Sequence, residues 1–154
     1  MINWIEYLDI DNNYTGNDIY KKCIKFVFLW INYNHFYNKR YTKEISRRYK
    51  DEKERAKALD LQEAKDRYER LKNDFLKKFN KLPSDEHFRE YIVNLKTKQR
   101  INFDKNHFQL EDFLETIYQI RCNLFHGDKL VNDYNVQIIA WAYDCLQELL
   151  YELI

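Results

Sequence analysis

The sequence predicts an all-α fold, a single helical bundle, on three observations. Only two glycines and one proline occur in 154 residues, too few for the turns that many short strands need. Thirteen tyrosines, ten phenylalanines and three tryptophans supply core material, which argues against disorder. Apolar residues recur every three or four positions along several segments, as one helical face requires. The length suits one domain, which we assign to residues 1–154.

Two helices are expected in the first half of the chain. The first is capped by Asn17 or Asp18 and runs to about Arg40, with an apolar face wide enough to predict a central position. The second, at about 51–80, is charged except for a narrow apolar seam. The residues of this seam are Leu61, Ala64, Tyr68, Leu71, Phe75 and Phe79.

The second half is expected to begin with a break at Leu82-Pro83-Ser84. Ser84 is suited to cap a short extra helix through about Leu95, and residues 96–106 are expected to form a loop.

Two further long helices complete the predicted bundle. One begins near Gln109 and ends before Gly127, because glycine is common just past a helix C-terminus. Asn132 or Asp133 is suited to cap the last helix, whose apolar residues continue to Leu153.

The composition excludes several classes of protein. Lys and Arg total 26 against 25 for Asp and Glu, so no strong global field draws the chain to nucleic acid or membrane. The longest clean apolar run, residues 26–31, is far below the roughly 20 residues that span a bilayer. Residues 1–9 hold acidic but no basic side chains, unlike a signal peptide. We therefore expect a cytoplasmic protein with no membrane partner.

The cysteines and histidines give no sign of a metal centre. Cys23, Cys122 and Cys145 lie far apart and form no CxxC pair, so free thiols in a reducing compartment are expected. The histidines have no clustered ligand spacing, and no glycine-rich phosphate loop occurs. We expect neither a metal nor a cofactor.

Residues 39–58 form a locally basic segment, with nine basic and four acidic side chains. A solvated helix face or loop explains such a segment without any function. The alternative is a surface that contacts a phosphate backbone independently of sequence, with Arg47 and Arg48 as candidate RNA-binding residues.

Arg121 is the main anomaly of the pattern. At 100° per residue, the apolar arc of the helix 109–126 runs from about 100° on one side of Arg121 to about 60° on the other. A guanidinium does not lose its proton and is rarely buried alone. Arg121 therefore pairs with a carboxylate, points into a cleft or interface, or packs its stem while its head reaches water.

His126 and Asn123 share a polar face of the same helix. His126 falls in the last turn, where the helix dipole favours an imidazolium. Histidine exchanges protons near neutrality, since its ordinary pKa is about 6.5. A single histidine at this place also fits a simple cap or surface group.

Two blocks of the sequence resemble the HEPN superfamily (higher eukaryotes and prokaryotes nucleotide-binding domains). Residues 118–129, Y-Q-I-R-C-N-L-F-H-G-D-K, resemble the bacterial stretch Y-Q-V-R-N-N-L-F-H-G-x-K, which contains the R-x4-6-H motif. Residues 28–37 resemble the pattern W-x-x-F-N-x-x-Y of the first long helix, with Tyr33 in place of the Phe. The order of helices matches through most of the chain, and Asp133 at the start of the last helix also fits.

The resemblance implies a four-helix core and a metal-independent endoribonuclease, in a family with many toxins and phage-defence proteins. Arg121 and His126 correspond to the motif Arg and His, and Asn123 to the second Asn of the stretch. The sequence departs from the family at the position after the Arg, where a polar residue is usual and Cys122 stands here. The matched blocks also supply Asn34, Tyr118 and Cys122 as supporting residues and Lys129 as an RNA contact.

Two functions are compatible with these residues. The first is an RNase that uses the 2′-hydroxyl as nucleophile, with His126 for proton transfer and Arg121 for the phosphoryl oxygens. One chain offers one such His, so a homodimer with a composite site is expected, and the family allows a nucleotidyltransferase-type antitoxin as a partner. The second is a non-catalytic module that binds RNA, a nucleotide or a protein.

Overall fold

Long helices dominate the structure, as the sequence predicts. The computed structural model describes residues 18–40, 51–82, 91–94, 96–125 and 133–154. Within these residues, five helices accompany one two-stranded antiparallel sheet. The elements are α1 (Asp18–Arg40), α2 (Glu52–Lys57), α3 (Gln62–Phe79), β1 (Tyr91–Val93), β2 (Arg100–Asn102), α4 (Leu110–Phe125) and α5 (Asp133–Leu150).

The core lies where α5 packs against α1 and α3. Trp141 of α5 is buried among the rings of Phe79, Phe103 and Phe113, with centroids 4.8 to 6.0 Å away. Its indole N–H donates to the carbonyl of Phe75 at 3.2 Å. The buried indole nitrogen therefore has a hydrogen-bond partner. The predicted seam of α3 is confirmed at Ala64, Tyr68, Phe75 and Phe79, which are buried in this core.

The single helix predicted over 51–80 is wrong, because residues 58–61 are not helical and separate α2 from α3. Leu59 and Leu61 explain the break. A continuous helix would turn these two side chains about 200° apart, so one face could not hold both. In the structure Leu59 is buried and Leu61 packs against the core.

The short extra helix predicted from Ser84 to Leu95 is also wrong in its last part, since residues 91–93 form β1. Its first part lies outside the described residues. The predicted loop 96–106 contains β2, and Ile92 pairs directly with Ile101. Both isoleucines are buried while Arg100 and Asn102 are exposed, so burial alternates along β2 as in a half-buried strand.

Helix α4 is covered on two sides, by the bundle and by the β1–β2 hairpin. Phe113, Leu114 and Ile117 join the bundle core. On another face, Asn123 is buried and its Nδ2 donates to the Val93 carbonyl of β1 at 3.3 Å. The hairpin therefore holds α4 on a side of the helix that lies away from its apolar face.

The outer faces of the helices carry ion pairs between neighbouring turns. On α3, Lys72 contacts Glu69 and Lys78 contacts Asp74, each at 2.6 Å. None of the helices in the described segments is long and apolar enough to cross a membrane.

Candidate functional site

Arg121 lies near the C-terminal end of α4 and is paired with a carboxylate. Its Nη2 is 3.3 Å from Oε1 of Glu52, and only 19% of its side chain is exposed. Of the three environments considered from the sequence, the structure thus contains the ion pair. The partner comes from α2, which lies far from α4 in the chain.

Three aromatic rings surround the guanidinium of Arg121. Its Cζ lies 5.8 Å from the ring centroids of Trp30 and Tyr118, and 5.1 Å from that of Phe125. Such distances give favourable cation–π contacts, worth about 0.5–2 kcal/mol each according to desolvation. Trp30 and Tyr118 also meet edge to face at 6.0 Å. These rings allow a charged group to sit within the apolar arc of α4.

Glu52 is held by α1 as well as by Arg121. Its Oε1 accepts from Asn34 Nδ2 at 2.9 Å and from the Tyr37 hydroxyl at 3.1 Å. Burial, followed by the charge of Glu52, raises the pKa of Tyr37 far above its ordinary value. Tyr37 therefore remains a neutral phenol and a hydrogen-bond donor throughout the physiological range.

Helix α2 is tied to both neighbours and so fixes Glu52. Lys53 and Lys57 both contact the carboxylate of Glu115 on α4, Lys57 at 3.2 Å. Arg55 Nε donates to Asn38 Oδ1 on α1 at 3.0 Å. The side chains of α2 thus connect it to the same two helices that carry the rings around Arg121, and these basic residues of the segment 39–58 are engaged within the protein.

The guanidinium of Arg121 keeps hydrogen-bonding capacity beyond Glu52. It has five N–H donors, but only Nη2 meets the carboxylate, so the pair is not bidentate. Nη1 contacts Cys122 Sγ at 3.7 Å, and Nε is buried with no hydrogen-bond partner among the described residues. A sulfur is a weak acceptor, which leaves Nη1 suited to a stronger anionic partner.

The three cysteines are free thiols in different surroundings. Cys23 donates to the Val136 carbonyl at 3.7 Å, and burial raises its pKa to about 11. Cys145 is buried in the core, and burial raises its pKa further. Cys122 is partly exposed beside Arg121 and Tyr118. Burial, followed by the neighbouring Cys122, raises the pKa of Tyr118.

Asn123 lies on the other side of α4 from Arg121. Besides its bond to Val93, its Oδ1 accepts from Gln119 Nε2 at 2.8 Å. The side chains of Asn123 and Gln119 are both buried. The structure therefore does not bring Asn123 to the guanidinium, and its contacts are those of a residue that joins β1 to α4.

Four of the sequence-predicted site residues lie outside the described residues. They are Arg47, Arg48, His126 and Lys129. Of these, His126 directly follows Phe125 in the sequence.

The structure does bring together Arg121, Asn34, Tyr118 and Cys122, all predicted from the sequence. It adds Glu52, Tyr37 and Trp30. Trp30 and Tyr37 belong to the first block of the resemblance. Nothing in the neighbouring sequence marks Glu52 as a site residue, because it is one of a few acidic residues in a basic segment. The only pointer to it was the need of a buried arginine for a carboxylate.

Comparisons with protein-family models, curated proteins and solved structures find no match to this chain.

A histidine with a carboxylate partner occurs on the loop before α4. His107 Nδ1 lies 3.1 Å from Asp104 Oδ1, and both side chains are well exposed. Partial burial would raise the pKa of Asp104, but the bonds from Asn106 and His107 outweigh it and lower that pKa. Within the described residues, no three His, Cys, Asp or Glu side chains gather as metal ligands.

Proposed function

We propose that this protein is a metal-independent endoribonuclease of the HEPN type. The observation that carries the proposal is the environment of Arg121: its guanidinium is held among three aromatic rings and one carboxylate, and among the described residues Nη1 is engaged only by a thiol. An arginine held in this way matches the oxygens of a phosphate. It belongs to the R-x4-H pattern, in which His126 is the proton-transfer group.

The proposed reaction is transphosphorylation. The 2′-hydroxyl loses its proton to a base and its oxygen attacks the adjacent phosphorus, while the bond to the 5′-oxygen breaks and that oxygen takes a proton from an acid. The products are a 2′,3′-cyclic phosphate and a 5′-hydroxyl. Arg121 offsets the charge that develops on the phosphoryl oxygens, and His126 moves the protons.

The proposal includes a homodimer, because one chain supplies one copy of the R-x4-H pair and the reaction needs both a base and an acid. Phe125 supports this. It is a large apolar side chain, 42% exposed, directly beside Arg121 and next in sequence to His126. The resemblance extends the proposal to a toxin or phage-defence effector that is restrained by a nucleotidyltransferase-type antitoxin.

The test is RNA cleavage in the presence of EDTA. His126→Ala should reduce the rate by about 10²–10⁴-fold, the range for a general acid or base. His107→Ala is the matched control, since it removes an exposed histidine that is paired with Asp104 and should leave the rate unchanged. Cleavage that persists in His126→Ala, or that requires added Mg²⁺, would refute the assignment.

A second candidate function is a non-catalytic RNA- or nucleotide-binding or protein-interaction module. The ion pair with Glu52 favours it, because the carboxylate already offsets the charge of Arg121. This module would bind RNA without cleaving it, and His126→Ala would bind as the wild type does. The same cleavage assay, run beside a binding assay, separates the two functions.

A further inference from the structure

We propose that Glu52 is a positioning residue for Arg121: its carboxylate holds the guanidinium at Nη2 and leaves Nη1 to the scissile phosphate. This inference rests on the proposed function. Glu52 does not touch the substrate in this role but sets the orientation of the residue that does.

The first support is the independent anchoring of Glu52. Its Oε1 is bonded to Asn34 at 2.9 Å and to Tyr37 at 3.1 Å, both on α1, and its contact with Arg121 is the longest of the three at 3.3 Å. The carboxylate would therefore keep its place if the guanidinium turned away. The position of the Glu52 carboxylate is set by α1 and does not depend on Arg121.

The second support is the limited constraint given by the rings. Trp30, Tyr118 and Phe125 hold the guanidinium through its charge and its faces, and cation–π attraction is weakly directional compared with a hydrogen bond. These rings alone leave the planar group able to rotate within its own plane or to tilt. The contact of Nη2 with Oε1 removes that freedom.

The third support is the one-sided nature of the ion pair. A bidentate carboxylate would occupy two donors in a parallel fork and compete fully with a phosphate. Here a single oxygen meets a single nitrogen, and within the described part of the chain Nη1 meets only the Cys122 thiol. Glu52 therefore fixes the guanidinium without occupying its whole edge.

The experiment separates the shape of Glu52 from its charge. Glu52→Ala removes both, so Arg121 loses its orientation and kcat should fall about 10–100-fold, since a misplacement of about 1 Å costs that order. Glu52→Gln keeps an oxygen for the same three donors and removes the competing charge. It should keep kcat within about threefold and lower KM for RNA.

The matched control is Glu54→Gln on the same helix. Glu54 is 49% exposed and pairs with Lys57 at 3.7 Å, so kcat and KM should not change. Equal kcat values for Glu52→Ala and wild type would overturn the proposal. So would an equal loss of kcat in Glu52→Gln and Glu52→Ala, because the charge rather than the placement would then matter.

A readout without catalysis distinguishes failure of this inference from failure of the proposed function. Arg121 Nε is buried, so its N–H should exchange slowly with solvent in ¹⁵N-arginine-labelled protein, with Arg121→Lys identifying the signal. Exchange should accelerate at least about 10-fold in Glu52→Ala and stay slow in Glu52→Gln and Glu54→Gln. Unchanged exchange in Glu52→Ala would overturn the positioning role whether or not the protein cleaves RNA.

Discussion

Nη2 of Arg121 and Oε1 of Glu52 lie 3.3 Å apart and join the end of α4 to the first turn of α2. The arginine therefore supports the fold as well as the candidate site, because the same contact ties two helices together. Substitutions at Arg121 should reveal these two roles separately.

Arg121→Lys should abolish RNA cleavage but retain most of the stability. An ammonium still offsets the charge of Glu52, yet it lacks the planar fork that matches a phosphate. Arg121→Ala should lose cleavage too and lower the free energy of unfolding by about 1–3 kcal/mol, since Glu52 loses its charged partner. Cleavage assays and thermal denaturation measure the two effects. If Arg121→Ala were as stable as the wild type, the ion pair would contribute nothing to the fold.

Phe125→Glu should convert the expected dimer to a monomer. Phe125 is exposed beside Arg121, and a carboxylate buried in an interface between two copies would be costly. Light scattering at tens of micromolar protein measures the mass. The control is Tyr151→Glu, which changes another exposed aromatic residue in a groove beside Arg67 and Arg70 and should leave the mass unchanged. A wild-type protein that is monomeric at this concentration would contradict the composite site.

Replacing Arg47 and Arg48 together by Ala should weaken RNA binding and reduce its salt dependence. Each phosphate of a single strand that the protein neutralises adds roughly 0.7 to the slope of log K against log salt, so the double variant should show a slope smaller by up to about one or two units. Lys77 and Lys105, both exposed, provide a double Ala control with the same change in charge. If both double variants behave alike, the segment is only a solvated face.

Glu115→Gln should lower stability at neutral pH and have little effect in acid. Burial alone would raise the pKa of Glu115, but Lys53 and Lys57 outweigh it and hold the pKa below its usual 4.5. The stabilisation is therefore complete above about pH 4.5 and disappears as the pH falls through the lower, folded-state value. At pH 7 the variant should lose about 1 kcal/mol, or roughly 2–4 °C in Tm.

Thermal denaturation between pH 7 and pH 3 tests this, because the wild-type and Glu115→Gln curves should converge as the pH falls. Glu152→Gln, which changes an exposed carboxyl beyond the end of α5, is the control. A gap that stayed constant over this range would show that the ion pairs with Lys53 and Lys57 are not its source.

The helices could be predicted because apolar spacing reports burial on one face. Where burial depends on several elements at once, the pattern fails. Leu59 and Leu61 interrupt a helix that charge and propensity would continue, because both pack on the core and a continuous helix would turn them apart. The Ile92–Ile101 pair lies in a strand ladder that packs on α4, and each run is too short to show a period of two.

The sequence could predict that a site forms around Arg121, but it could not predict which residues surround it. A carboxylate partner was one of three environments open to an arginine in an apolar arc, and nothing in the sequence around Glu52 identifies it as that partner. Asn123 shows the reverse. Its position in a polar motif predicts a catalytic role, whereas its bond to Val93 arises from a hairpin that the sequence did not predict.

Because the three thiols have unequal surroundings, one native cysteine can be labelled selectively to probe the candidate site. At pH 8 a thiol with a pKa of about 11 is ionised in only about one molecule in a thousand, and Cys145 is sealed in the core. Maleimide or a nitroxide reagent should therefore react first with Cys122, whose Sγ lies 3.7 Å from Arg121 Nη1. A fluorophore or spin label placed there, with no engineered cysteine, would report directly on RNA arriving at the guanidinium and on the distance between two such sites in a dimer.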